Sequence, residues 1–211
     1  MSIQDRKQRE FDRRGQEILD AALSLFAADN WEQVTVEQIA QNADVGKGTI
    51  YKHFASKDEI YARLSMQFQR RILAGYSVID KKMSVVDQLR SYMQVAWDIH
   101  LSSRQLHRVF IYSSRAEFHA RLSPEVLAEL LSVQAEVSAP SSRLIAEAIE
   151  QGQFPRKPLP LLLFGAQAAF WGGIQLVWSG YLGDIDRQQY LRELSNFVIA
   201  GLIYSDRLEV A

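Results

Sequence analysis

Residues 35–54, TVEQIAQNADVGKGTIYKHF, hold two apolar-periodic segments on either side of an abrupt break. Each is too short to persist as a helix alone, and no other feature constrains the fold as tightly. Thr35 reads as an N-cap with Gln38 as its capping-box partner. Val36, Ile39, Ala40 and Ala43 form the buried side of the first segment. Asp44 and Gly46 bracket Val45 at the break. The second segment, from about Lys47 to Phe54, buries Ile50 and Phe54 at i and i+4. Such a pair needs a longer helix as a brace. Residues 10–28 supply it, with Phe11, Ile18, Ala22, Leu25 and Phe26 at helical spacing. Its end is expected at Asp29 and Asn30, where Asn takes a left-handed C-terminal conformation.

Helical periodicity continues downstream. Ser56 caps a fourth helix with Glu59 three residues on, and Ile60, Leu64, Phe68 and Ile72 mark its stripe up to about Gly75. Ser84 and Asp87 open the next, whose inward face is Val86, Leu89, Met93, Ala96, Trp97 and His100. A short helix covers Gln105 to Ser114. In LSPEVLAELL, Ser123 is an N-cap and Pro124 the first helical residue. Pro140 is expected to kink or break that helix before it ends at Gly152. The last two helices span about 158–180 and 187–205. No segment alternates with period two, so the expected fold is all-α, with about nine helices. It comprises a disordered basic and polar arm (1–9), a three-helix helix-turn-helix bundle (10–57, with the motif at 35–54) and a larger helical domain (58–211).

Several function classes drop out. The chain has no cysteine, which removes disulfides, thiolate chemistry and cysteine zinc sites. It has no P-loop, dinucleotide fingerprint, nucleophile elbow or HExxH. His100 and His107 could be read as metal ligands, but the Glu-x-x-His pairs of a di-iron bundle do not occur. The expectation is a protein that is not an enzyme, with no metal and no cofactor. The polar N-terminus has no apolar core of a signal sequence, which points to the cytoplasm.

Residues 159–178 carry no charge over the length of a membrane span. Pro160, Gln167, Gln175 and the glycines argue against insertion. Gly165, Ala169, Gly172 and Ser179 instead form a small-residue side. The next helix adds Leu191, Leu194, Phe197, Val198, Gly201 and Leu202. Doubled, two such helices make a four-helix interface. Gly165, Ala169, Gly172, Leu194, Phe197, Val198 and Leu202 are therefore the expected homodimer contacts.

The formal net charge is −1, and residues 1–60 carry eight Lys or Arg against eleven Asp or Glu. Binding to nucleic acid would have to come from a local field. Lys47, Lys52, His53 and Lys57 lie in one stretch without an acid between them. A helix-turn-helix puts its second helix in the DNA major groove. With Ile50 and Phe54 inward, Lys47, Gly48, Tyr51 and Lys52 face outward, and Thr49 sits between the two faces. Lys47, Gly48, Thr49 and Lys52 are placed to read bases. Thr35, Tyr51, His53 and Lys57 are placed on phosphates. Two readings of Arg6, Lys7, Arg9, Arg13 and Arg14 stand side by side: a solubilising tail, or an arm along the DNA backbone or in its minor groove.

Residues 21–61, AALSLFAADNWEQVTVEQIAQNADVGKGTIYKHFASKDEIY, resemble the DNA-binding domain of the tetracycline-repressor (TetR) family. The landmarks are Leu25-Phe26, Trp31, Thr35-Val36, Ile39-Ala40, Ala43, Val45, Gly48 through Tyr51, His53-Phe54 and Lys57-Asp58. Asn30 and Asp44 stand where the family usually has Gly, and Gly46 where it usually has Ser. Asn and Asp tolerate positive φ, so the turns are expected to survive. The resemblance implies a homodimer through the last two helices and a ligand pocket in the middle helices. It makes Phe68, Met93, Trp97, His100, His107, Phe110 and Phe118 candidate ligand-binding residues, although each also reads as ordinary core. The expected function is a ligand-responsive, dimeric DNA-binding regulator: a repressor released from a near-palindromic double-stranded operator by a small, largely apolar effector. The alternative is a helical small-molecule-binding protein or enzyme with a structural N-terminal hairpin.

Overall fold

Capping residues set most of the helix starts. The computed structural model describes residues 2–28 and 30–205. Helix α1 spans Ile3–Leu25. The Asp5 N–H donates to Ser2 Oγ at 3.0 Å and the Ser2 N–H donates to the Asp5 carboxylate at 2.8 Å. This capping box starts the helix well before the apolar spacing begins, so residues 3–9, expected as a disordered arm, are helical. Within the extension the Arg9 side chain donates from Nε to the Asp5 carbonyl, four residues back, at 3.2 Å.

Helix α1 ends at Leu25, with Phe26 as its C-cap. The expected stop at Asp29 lies outside the described residues. Asn30 has φ −91°, not a left-handed value, and heads a 3-10 turn at Trp31–Gln33. Phe26 and Trp31 are both buried and meet edge to face at 5.9 Å. Burying both rings fixes where the chain turns. Asp44, by contrast, does adopt a positive φ of 52° at the break.

The remaining helices are α2 (Val36–Asn42), α3 (Lys47–His53), α4 (Lys57–Ser77), α5 (Val85–Ser102), α6 (Arg104–Ser113), α7 (Ala116–His119), α8 (Pro124–Glu150), α9 (Leu159–Trp178) and α10 (Arg187–Tyr204). Among the described residues there are ten α-helices and no strand. The one beyond the expected nine is the single turn α7, after Arg115. Helix α8 runs unbroken through Pro140. The carbonyl that Pro140 cannot serve is that of Glu136, on an exposed stretch. The Ser138 hydroxyl donates to the Ala135 carbonyl at 3.1 Å beside it.

The chain forms two compact units. The first comprises Met1–Gln69 with Ser103–Val133, the second Arg70–Ser102 with Gln134–Ala211. Helices α4 and α8 contribute residues to both. The first unit is built round an aromatic group. Tyr61, fully buried, stacks on Phe26 at 4.6 Å and meets Trp31 at 5.7 Å, Tyr112 at 5.3 Å and Phe118 at 6.5 Å. Its hydroxyl donates to the Trp31 carbonyl at 3.2 Å. Arg121 holds Asp58 at 2.9 Å and donates to Tyr112 Oη at 2.8 Å, and Arg63 joins Glu59 and Glu129.

In the second unit, Trp97 is fully buried, stacks on Phe170 at 4.1 Å and donates from Nε1 to Ser195 Oγ at 3.0 Å. Gly173 makes this possible. A Cβ there would lie 2.3 Å from Leu194 Cδ2 and 3.0 Å from the rim of the Trp97 ring. Gly173→Ala is therefore expected to destabilise the protein by about 1–3 kcal/mol despite the better helix propensity of Ala. A thermal midpoint at or above that of the unsubstituted chain would contradict this packing.

Candidate nucleic-acid interface

The hairpin is held from behind. Ile39, Ala40, Ile50 and Phe54 are buried, and the Asn42 side-chain amide ties α2 to α1 by donating to the Ala21 carbonyl at 2.9 Å and Ser24 Oγ at 2.8 Å. Thr35 and Gln38 form the expected capping box at the start of α2, with bonds of 3.2 Å and 2.8 Å. Gly46 caps α3 with no side-chain bond. At the start of α4, the Glu59 N–H donates to Ser56 Oγ at 3.1 Å. The Glu59 carboxylate accepts from the Ala55 N–H rather than from that of Ser56.

Five of the eight residues expected at DNA lie on open surface. Thr35, Lys47, Gly48, Tyr51 and Lys52 are exposed, and Thr49 is half-buried between the two faces. Tyr51 keeps 49% of its surface accessible. No atom lies within 4 Å of where a Cβ on Gly48 would sit, so a groove can approach its backbone closely. Lys47 lies 5.9 Å from the centre of the Tyr51 ring and forms an ion pair with Glu37 of α2.

His53 and Lys57 are engaged inside the domain. The His53 ring stacks on Phe11 of α1 at 4.0 Å and lies close against Gly15. Burial, with Arg14 nearby, holds its pKa below the ordinary value. Lys57 donates from Nζ to the carbonyls of Glu32 at 2.9 Å and Val34 at 3.0 Å, so it pins the 3-10 turn to α4. Sequence spacing places these two residues at the end of α3 and just beyond it. It does not show what they bind, because their partners lie far away in the chain. The same limit hid the Glu37–Lys47 pair and the Phe11–His53 stack.

The candidate ligand residues fall in both units. In the first, Phe68 and Phe118 are buried, and Phe68 lies 5.6 Å from Phe110. Burial pushes the pKa of His107 down to about 4, which keeps it neutral. The same unit buries a polar group absent from the sequence reading. Ser113 donates to Ser65 at 2.7 Å, and Gln69 reaches Ser65 at 3.3 Å. In the second unit, His100 is buried with its ring edge-on to Phe170 at 5.4 Å and Trp171 at 5.2 Å. Met93 packs partly buried beside Trp97. Among the described residues no three His, Asp or Glu side chains gather as a metal site requires.

The expected dimer contacts divide by exposure. Gly165, Gly172 and Phe197 are exposed and Ala169 is half-buried. Leu194 packs with Trp97, and Val198 and Leu202 belong to the second unit's own core. Between α9 and α10 lies a groove of about 320 Å³, lined among others by Leu161, Gly165, Ala169, Phe197, Gly201 and Lys157. Helix α9 is long and apolar enough to cross a membrane by length and composition, yet only a small share of it is buried within the chain. Phe164 and Phe197 stand 74% and 72% exposed.

The family model for bacterial regulatory proteins of the tetR family matches residues 18–64. The regulator TcmR of Streptomyces glaucescens is 43% identical over 54 residues, 26% of this chain and 24% of that protein. The transcriptional repressor KstR2 of Mycobacterium tuberculosis is 31% identical over 87 residues, 41% of this chain and 43% of that protein. The chain thus spans less than half the length of the curated relatives it matches. The fold likeness reaches further. The TetR-family regulator PfmR of Thermus thermophilus superposes with a TM-score of 0.69 at 20% identity, over 88% of this chain and 98% of that one. The fatty acid degradation regulator FadR of Bacillus halodurans gives 0.65 at 20% identity, over 90% and 94%.

Proposed function

We infer that this chain, a TetR-family member by its residues 18–64 and its fold, is a cytoplasmic, dimeric transcriptional repressor that leaves a near-palindromic operator when a small, largely apolar effector binds. One observation carries the reading. Helix α3 buries Ile50, with Phe54 buried behind it, while Lys47, Gly48, Tyr51 and Lys52 stand open to solvent. A hairpin that served only the core would not hold an aromatic ring and two ammonium groups clear of it.

Thr35, Lys47, Gly48, Thr49, Tyr51 and Lys52 form the contact surface. His53 and Lys57 chiefly hold that surface in place, although the third Lys57 N–H can still meet a phosphate. Pairing through the exposed α9–α10 face covers Phe164 and Phe197 and presents two recognition helices about 34–36 Å apart. The aromatic content of each unit supports an apolar effector. Such a molecule can release DNA only if it binds the non-binding conformation more tightly.

Selection of bound duplexes from random DNA tests this directly. The expected result is a two-fold symmetric site bound by a dimer, with affinity falling steeply as salt rises. No enriched site, or a monomer in sedimentation with the operator present, would overturn it.

A further inference from the structure

Glu37 is the residue on this surface that a DNA-binding reading least expects. It lies in the first turn of α2, fixed by the Thr35–Gln38 capping box beside it. Its side chain is 61% exposed, and its carboxylate accepts from Lys47 Nζ, itself 50% exposed, in the first turn of α3. Lys47 also lies beside the exposed Tyr51 ring, one helical turn on. A lone carboxylate beside phosphates is repelled by them. An exposed ion pair does little for stability. The arrangement is therefore poorly explained by folding or by general attraction to DNA. It does hold an acceptor and a donor side by side, on neighbouring helices, at the open face of the hairpin.

In the major groove a G·C pair offers two acceptors, guanine N7 and O6, followed by one donor, cytosine N4. An ammonium with a carboxylate next to it is the complement of that pattern. At an A·T pair the thymine O4 would face the carboxylate, acceptor against acceptor. We propose that Glu37 and Lys47 act as one unit that reads a G·C base pair in each half-site, Lys47 donating to guanine and Glu37 accepting from cytosine. The proposal rests on the DNA-binding reading above and makes Glu37 a specificity-determining residue of that surface. Because the two charges cancel, the pair adds selectivity without adding general attraction.

The test compares the selected sites of the unsubstituted chain with those of Glu37→Ala, Glu37→Gln and Lys47→Ala. Affinities are then measured for the operator and for an operator with the selected G·C pair changed to A·T. For the unsubstituted chain that change is expected to weaken binding on the order of tenfold. For Glu37→Ala and Lys47→Ala most of that discrimination disappears at the one position, while the rest of the site is unchanged. Glu37→Gln shifts the preference there toward adenine, which an amide pairs with well. Freed of its partner, Lys47 in Glu37→Ala also raises affinity for unrelated DNA. All three substitutions are at exposed side chains, and circular dichroism matching that of the parent shows that folding is intact. A uniform rise in affinity with an unchanged site profile would overturn the proposal, since Glu37 would then only repel phosphate. Failure of the unsubstituted chain to select any site would overturn the DNA-binding reading, and this inference with it.

Discussion

Replacing Tyr51 and Lys52 together with alanine is expected to leave the chain folded and abolish its sequence-specific DNA binding. Both side chains are exposed and neither contributes to the buried group formed by Ile39, Ala40, Ile50 and Phe54. Surface changes of this kind usually alter stability by no more than about 0.5 kcal/mol. Binding is different. A side chain that contacts a base contributes about 1–3 kcal/mol, and a cation on a phosphate adds about one to the salt slope. Two residues lost in each of two half-sites would bring operator affinity down to the non-specific range, with Kd of roughly 10⁻⁴–10⁻⁶ M. The measurement is operator affinity over a salt series, paired with thermal unfolding. Retention of operator affinity within about tenfold would remove α3 from the interface, because so small a loss, about 1.4 kcal/mol, is no more than a single base contact accounts for, whereas two residues are removed from each half-site.

Tyr61→Ala has the largest expected effect on stability, about 3–5 kcal/mol. The ring touches Phe26, Trp31, Tyr112 and Phe118, and no part of it is open to solvent. Burial, with Tyr112 next and Asp58 and Glu32 nearby, raises its pKa, so the phenol stays protonated and able to donate. Tyr61→Phe keeps the ring and loses only the bond to the Trp31 carbonyl, which is expected to cost about 1 kcal/mol. Against a typical domain stability of about 5–15 kcal/mol, the alanine variant would be marginal and the phenylalanine variant comfortable. Urea unfolding separates the two as shifts of midpoint at constant slope. Equal losses in both variants would mean that the hydroxyl, not the ring, holds this group together.

The outward face of α3 was legible in the sequence because its causes are local. Ile50 and Phe54 at i and i+4 fix which way α3 faces, and that alone turns Tyr51 and Lys52 outward. The capping pairs at Thr35 and Ser56, and Pro124 after Ser123, set helix starts through residues three apart. The helical start at residues 3–9 has a local cause as well. Ser2 and Asp5 are a capping pair like the others, but no apolar residues at helical spacing follow them there.

By itself the sequence determined an all-α chain, the positions of most of its helices and the outward face of its helix-turn-helix hairpin. Each follows from interactions within about four residues, whose geometry any helix repeats. Tertiary structure decided what the side chains do once the helices exist. Lys57 serves carbonyls up to 25 residues back instead of standing free, His53 lies against Phe11, and Arg63 reaches Glu129 across 66 residues. It also separated Phe197, open to solvent, from its neighbour Val198, which the chain's own core covers. Adjacent positions on a helix point about 100° apart, and only the placement of other helices determines which direction is filled.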